Sequence, residues 1–509
     1  MKRRPVAIAL SIALTAVTAA CGSGDDDTNQ STDSAGTIRI THRTGVASWD
    51  IAKSRSGPET PILGLVYDRL IGLEPNGDPA PGLAESWEFG EGGQVLTLKL
   101  RDSVTFTDGS AFDSSVVKAN LERQKTIEGS TVSASLANIT AIEAPDPSTV
   151  TIRQTNADAS LVMLLADRFG MMMSPQTISG SGEVTEPVGT GPFILRSQTP
   201  QASYVLERND DHWNRDLFKV GQVEITVLED ATARLNALRS GQADAGLVDA
   251  NQIEEVKGLP GKTVTPYKGI AVRAIWVNQE MVPAFKDLRV RQALNYAIDR
   301  ESIVSGLAFG YGEPAFQLVP PISSAHDPSV GEPFPFDPER AKALLAEAGY
   351  ADGLSFQFGV QPPFAREAEA IQQQWAAVGV QVEITQIASF ALGEALWAKK
   401  TIPAGLATWA GRLDPGFSYA LNHLPGAPQN PGNFADPQTI ALIEDARSEF
   451  DPAARVAKLQ AVAKHLATNP QGTWPVFFPQ EGLVYDEKVT GLENWSDGFP
   501  HLENVGVSG

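Results

Sequence analysis

The sequence predicts an α/β protein of two lobes joined by a hinge. Two observations carry this. Strand-like alternation gives way to helical periodicity and then to alternation again in two places, Val223 to Leu247 and Leu354 to Ile384. Crossovers of this kind set strands parallel and put helices on the sheet faces. A long excursion of chain also separates the strand systems, so they are expected to build separate lobes. At 509 residues the chain is too long for one core, and about three domain-sized units are expected.

Composition narrows the function classes. Hydrophobic residues make up 42% and charged residues 20%, as in soluble globular proteins. The net charge of −21 argues against nucleic acid as a partner, because phosphate binding needs clustered Lys and Arg. It reads instead as a solubility charge. The single cysteine, Cys21, excludes an intrachain disulfide and a cysteine-based metal site.

At the N-terminus, Lys2, Arg3 and Arg4 precede an apolar run from Val6 to Val17. That run is shorter than the roughly 20 residues of a membrane-spanning helix and reads as a signal peptide over residues 1–20. Thr18-Ala19-Ala20-Cys21 resembles a bacterial lipobox, with Thr18 where Leu is commonest. The resemblance implies lipidation of Cys21 as the mature N-terminus; the alternative is ordinary cleavage after Ala20. Gly22 to Gly36 contains no large apolar side chain and reads as a disordered tether with a reach of about 20 Å.

The folded part begins with a strand, Thr37 to Thr41, and a helix, Pro61 to Leu70. Gly82 to Trp87 reads as a short helical turn led by Pro81. Val95 to Leu100 alternates as a strand, and Val104 and Phe106 resume the alternation, so a hairpin is expected between them. Asp108-Gly109 is a turn signal, and Asp113 caps a helix with Val116, Val117 and Leu121 inside. Ile139 to Ile152 reads as a hairpin around Asp146-Pro147. The Met171–Met173 run reads as packing, because no Cys or His stands near it to complete a soft-metal site. Pro187 to Phe193 lacks the Lys-Ser/Thr of a phosphate loop, and Pro192 removes a backbone donor; it reads as a tight crossover.

Further along, Asp230 caps a helix with Leu235 and Leu238 inward, ended by Gly241. Asp287 to Ile298 carries the stripe Val290, Ala293, Leu294, Ala297 and Ile298, with Arg289, Arg291, Gln292 and Asn295 opposite or flanking. Asp299 caps the next helix, and Asp337-Pro338 opens another. Helices near Pro437 to Phe450 and Pro452 to Thr468 precede a terminal segment, Trp474 to Phe478.

Several of these segments resemble the extracellular solute-binding proteins of peptide/nickel-type ABC importers, solute-binding family 5. The resemblance rests on Pro81, Leu83, Ala84 and Trp87, followed by Leu100, Arg101, Val104, Phe106, Asp108, Gly109, Val116 and Val117. Tyr67 to Leu70, Gly189 to Phe193, Asn209 to Asn214, Leu288 to Arg300 and Asp337 to Tyr350 extend it over most of Thr37 to Trp495. It implies a bilobal, periplasmic-binding-protein-like fold of cluster C type, with two mixed-sheet lobes, a hinge and an inserted domain. Lobe I would comprise 37–75, 187–278 and 474–509, the inserted domain 76–186, and lobe II 279–473.

It also implies a function. The chain would capture a solute, a peptide or peptide-like carboxylated compound, between its lobes and deliver it to an importer permease. No cofactor and no catalytic residue are implied. The protein would be a monomer, lipid-anchored to the outer face of the cytoplasmic membrane.

Tests for chemistry agree with a binding role. The six histidines show no metal-ligand spacing, and no Gly-x-Ser-x-Gly elbow occurs. Ser115 to Lys118 matches Ser-x-x-Lys, but no Lys-Thr-Gly follows it. Two rivals stand beside the importer reading: a metal-chelate or haem binder of the same fold, and a secreted hydrolase.

The loop Thr408 to Phe417 resembles the family's Trp-x-x-Asp-x-x-Asp-Pro loop, whose first Asp pairs with a peptide's α-amino group. Here Arg412 stands at that offset from Trp409, and the loop is one residue shorter. An Arg suits a carboxylate, which its planar fork grips with two hydrogen bonds. Alternatively Arg412 pairs with a nearby acid and Asp414 holds the amine. Trp409, Phe417, Tyr419 and Trp49 are candidate cleft walls, with buried core as the alternative.

Overall fold

The computed structural model describes residues 36–55, 57, 59–180, 182–495 and 501–508. The signal peptide, Cys21 and the tether up to residue 35 lie outside the described residues.

Twelve strands form one connected β-system that divides at a shared strand, Thr473–Asp486. Its first residues pair with Val272–Val277 in one sheet, and its last pair with Ala245–Val248 and Lys262–Lys268 in the other. In the first sheet Thr37–His42 lies between Gln222–Val227 and Ala245–Val248 and runs parallel to both. The helix Ala231–Arg239 links those two flanking strands, capped by Asp230, whose carboxylate accepts from Ala233 N. The expected strand–helix–strand unit is present, with the N-terminal strand slotted inside it. In the second sheet Leu354–Val360 runs parallel to its neighbours Val380–Gln386 and Ala404–Trp409. Val272–Val277 is buried along its whole length, as a central strand covered on both faces must be.

The stripe Val290, Ala293, Leu294, Ala297 and Ile298 packs into the core over this second sheet. Arg291, expected on the opposite or flanking side, is buried. Its guanidinium donates to the carbonyls of Pro470, Phe285 and Lys286. Burial pushes its pKa down to about 10.

A separate four-stranded antiparallel sheet runs Ala84–Gly90, Val95–Leu100, Thr149–Gln154, Ile139–Asp146. The helix Ser114–Thr126 covers it, and Asp113 caps that helix through Ser115 N and Val116 N. Two expectations are corrected here. Gly82 to Trp87 is not a helical turn: Pro79–Pro81 and Ala84–Gly90 are strands, and Trp87 lies opposite Leu98. Val104 and Phe106 form no hairpin with Val95–Leu100, whose neighbours are Ala84–Gly90 and Thr149–Gln154. They are buried instead under a turn closed by Gly109 N to Phe106 O.

The helix expected to reach Leu70 ends at Val66, because the chain must turn there to meet the crossover at Gly189 and Gly191. A Cβ on either glycine would stand 2.0 or 2.4 Å from Val66 backbone atoms. Tyr67-Asp68 is fixed by the Asn209–Asn214 segment: Asp68 accepts from Trp213 Nε1 at 2.9 Å and lies 3.2 Å from His212 Nε2. These motifs are therefore architectural. Met171, Met172 and Met173 are fully buried among apolar side chains. Among the described residues no helix is long and apolar enough to cross a membrane.

Candidate ligand-binding cleft

The chain passes between the two sheets twice, from Lys268 to Val272 and within Thr473–Asp486. Both crossings border a cleft of about 1260 Å³. Residues near the first sheet, among them Arg43, Thr60, Arg69 and Arg234, line one side. Arg273, Phe364, Glu367, Thr408 and Arg412 line the other. The volume is ample for a ligand of several residues, since drug-sized pockets span roughly 300–1,000 Å³.

Ion pairs stiffen the walls. Arg43 Nη2 lies 2.5 Å from Glu481 on the shared strand. Burial works against the Arg43 charge, but Glu481 outweighs it and the guanidinium is held above its ordinary pKa. Arg234 lies 2.9 Å from Asp249. Arg273 Nε lies 2.7 Å from Glu367, and its guanidinium stacks 3.2 Å from the centre of the Phe364 ring. Burial lowers the Arg273 pKa and raises that of Glu367, as it must for a pair taken out of water.

Arg412 behaves differently. It follows the strand Ala404–Trp409 and is half-buried in the cleft wall. Nη1 donates to the carbonyl of Gly411 at 2.7 Å, and no acid stands within ion-pair distance among the described residues. Burial holds its pKa below the ordinary value, opposed by the field of Asp167. Arg168, buried and donating to Ser54 and Thr131, is close enough for the Arg412 charge to depress it further. The backbone that places Arg412 depends on Gly411. Its φ is +74°, and a Cβ there would lie 2.4 Å from the Ile270 carbonyl oxygen at the first crossing.

The other residues singled out in sequence lie outside the cleft lining. Asp414 is 2% exposed and pairs with Arg455 at 2.7 Å while capping the helix Pro415–His423 through Phe417 N. Burial raises its pKa, but Arg455 and its hydrogen bonds outweigh that and hold it below the carboxylate range. Trp409 and Tyr419 are buried in the second sheet's core. Phe417 packs on the core of the four-stranded sheet. Trp49 is buried edge-on to Tyr204, and its Nε1 donates to Gln198. Ser115, of the Ser-x-x-Lys match, donates to Asp113 at the helix cap.

Sequence reasoning missed the aromatics that do line the cleft: Tyr267, Phe309, Tyr311, Phe364 and Phe477. Phe309 is 55% exposed at a φ of +55°. The aromatic–glycine run Phe309-Gly310-Tyr311-Gly312 is the local signal that could have found it. Among the described residues no group of three or more His, Cys, Asp or Glu side chains is gathered as a metal site.

Comparison with known proteins places this architecture. The family described as bacterial extracellular solute-binding proteins, family 5 Middle, matches residues 78–430. The chain is similar to the glutathione-binding protein GsiB of Salmonella paratyphi A, 32% identical over 334 residues, a match that spans 63% of each chain. It is also similar to GsiB of Escherichia coli O1:K1 / APEC, 30% identical over 457 residues, covering 84% of this chain and 86% of that one. Among solved structures, the periplasmic binding protein DppA from Helicobacter pylori, in complex with peptide STSA, shares the fold. Its TM-score is 0.81 at 21% identity, over 93% of this chain and 98% of that one.

Proposed function

The chain belongs to the bacterial extracellular solute-binding proteins of family 5, and on that premise we propose that it is the capture component of an ABC importer for a peptide or peptide-like, carboxylated solute. The observation that carries this reading is the cleft of about 1260 Å³ lined from both sheets and floored by the two crossings between them. A ligand that touches both walls binds the closed form better than the open one, and so shifts the population toward closure. The closed form is the species presented to the permease. The relatives named as glutathione-binding, and the similar fold solved with a peptide, support a peptide-type ligand.

The expected bounds put lobe I at 37–75, 187–278 and 474–509, but Val272–Val277 and the first residues of Thr473–Asp486 pair with each other, and Val272–Val277 pairs with Ala404–Trp409, in the second sheet. We therefore assign lobe I to 37–75, 187–271 and 480–509, the inserted domain to 76–186 and lobe II to 272–479. Arg412 is the ligand anchor, through the carboxylate it is free to grip in the cleft wall. Asp414 is spent on Arg455 and serves the loop's structure. The protein works as a monomer without a cofactor and catalyses no reaction.

Two experiments test this. The soluble form starting at Gly22, purified without denaturation, is examined by native mass spectrometry. A small peptide-like mass that leaves on unfolding is expected. A cleft that is empty as purified, in a protein whose melting temperature no peptide raises, would overturn the reading. For the anchor to the membrane, Cys21→Ser is expected to move the protein from the membrane fraction to the soluble fraction; retention in the membrane refutes lipidation at Cys21.

A further inference from the structure

The charges that line the cleft do not cancel. The acids Glu481, Asp249 and Glu367 are taken by Arg43, Arg234 and Arg273. Arg69, Arg366 and Arg412 remain among the lining residues with no ion pair to a described acid. Against them stand only Asp167 and Glu229. Asp167 is partly occupied, because its carboxylate accepts from Arg168 N at 2.6 Å. A protein of net charge −21 therefore keeps a surplus of positive charge in this one cleft.

Two of these three arginines, none in an ion pair with a described acid, are placed to grip. Arg412 comes from the second-sheet side and spends one donor on Gly411, which leaves the rest of its five N–H groups. Arg69 comes from the opposite side, just after the helix Thr60–Val66. Its charge is felt by the buried Glu503 on its far side, but among the described residues its Nε is buried without a hydrogen-bond partner. A buried donor left unmade is costly, so this group marks a place where a partner belongs. Arg366 is exposed, and an anion held there would stay in water.

We infer that the solute carries two anionic groups and is clamped from both sides, one group on Arg412 and the other on Arg69. This rests on the capture reading above and names its substrate class: a small acidic peptide or dicarboxylate. A solute with one carboxylate satisfies one arginine and leaves the other unpaired in the closed cleft. A solute with two anionic groups draws the opposite walls together, so charge recognition and closure become one event.

The test is calorimetric titration of the intact soluble protein with three probes: glutathione, glutathione amidated at its glycyl carboxyl, and trialanine. Glutathione is expected to bind about tenfold or more tightly than either probe with a single free carboxylate. In Arg412→Gln and in Arg69→Gln the advantage of the second carboxylate is expected to disappear. The comparison of probes on the unaltered protein holds even if a variant fails to fold. Equal affinities for glutathione and trialanine would overturn the two-anion clamp and leave the capture reading standing. No binding of any of the three by folded protein would overturn the peptide reading and the clamp with it.

Discussion

The Asp414 carboxylate lies 2.7 Å from the Arg455 guanidinium, and Arg455 also donates to Ser160 Oγ at 3.2 Å. One buried ion pair thus ties the loop that carries Arg412 to the helix Pro452–Thr468 and to the helix Ser160–Leu165 beside the four-stranded sheet. Both partners lie largely out of water, so removing one strands the other. Asp414→Ala is expected to lower stability by about 3–5 kcal/mol, measured by urea unfolding. If Arg455 were merely a surface partner the loss would stay below about 1 kcal/mol.

Gly411→Ala puts a side chain where φ is +74° and the Ile270 carbonyl leaves no room. The loop must shift, and Arg412 shifts with it. A loss of about 1–2 kcal/mol in stability is expected, with ligand affinity falling about tenfold or more although residue 411 contributes no side chain to the ligand. Unchanged affinity would show that Arg412 is not held by this backbone.

His423 is 3% exposed, and among the described residues neither ring nitrogen has a hydrogen-bond partner. Burial pushes its pKa down to about 3. The unfolded chain protonates this group near pH 6.5, whereas the folded protein keeps it neutral until far lower pH. The stabilisation is therefore complete above about pH 6.5 and is lost as pH falls toward about 3. Unfolding at pH 6.5 and pH 5 is expected to differ by roughly 2 kcal/mol from this residue, and His423→Leu should remove that part of the slope.

The four-stranded sheet touches the helix pair Pro437–Arg447 and Pro452–Thr468 at a second place. Phe450 packs 4.5 Å from Phe89, centre to centre, and covers Gly93 so closely that a Cβ there would lie 2.0 Å from its ring. The Ala159 amide donates to the Arg447 carbonyl at 2.8 Å, and the Arg447 side chain pairs with Asp158. Gly93→Ala is expected to destabilise by more than about 1 kcal/mol, partly recovered in Gly93→Ala with Phe450→Ala. Purely additive losses would mean the two residues do not meet.

Local rules read well wherever a cap or a long periodic stripe decided the outcome. Asp113, Asp230, Asp299 and Asp337 each accept from the backbone at the start of the helix assigned to them. The failures have physical reasons. Ala84–Gly90 hides its alternation behind Pro81 and Gly82, which resemble a helix entry. Val104 and Phe106 alternate over too few residues for periodicity to distinguish a strand from a buried turn. Thr473–Asp486 was legible only at Trp474 to Phe478, because Pro475, Pro479 and Gly482 interrupt it; the partners on either side hold it extended. The cleft was hardly legible at all. Arg69, Arg273, Glu367 and Arg412 are far apart in sequence, and residue type alone did not separate wall from core at Trp409, Tyr419 and Trp49.

The strand Thr473–Asp486 also has a temporal consequence. It stands near the end of the chain, yet each of the two sheets needs it as an inner strand, one place from the edge. A ribosome must finish almost the whole polypeptide before either sheet can close, and until then Val272–Val277 and Ala245–Val248 present open edges. The chain therefore keeps open edges for nearly all of its synthesis, because the strand that closes both sheets is made only after residue 472.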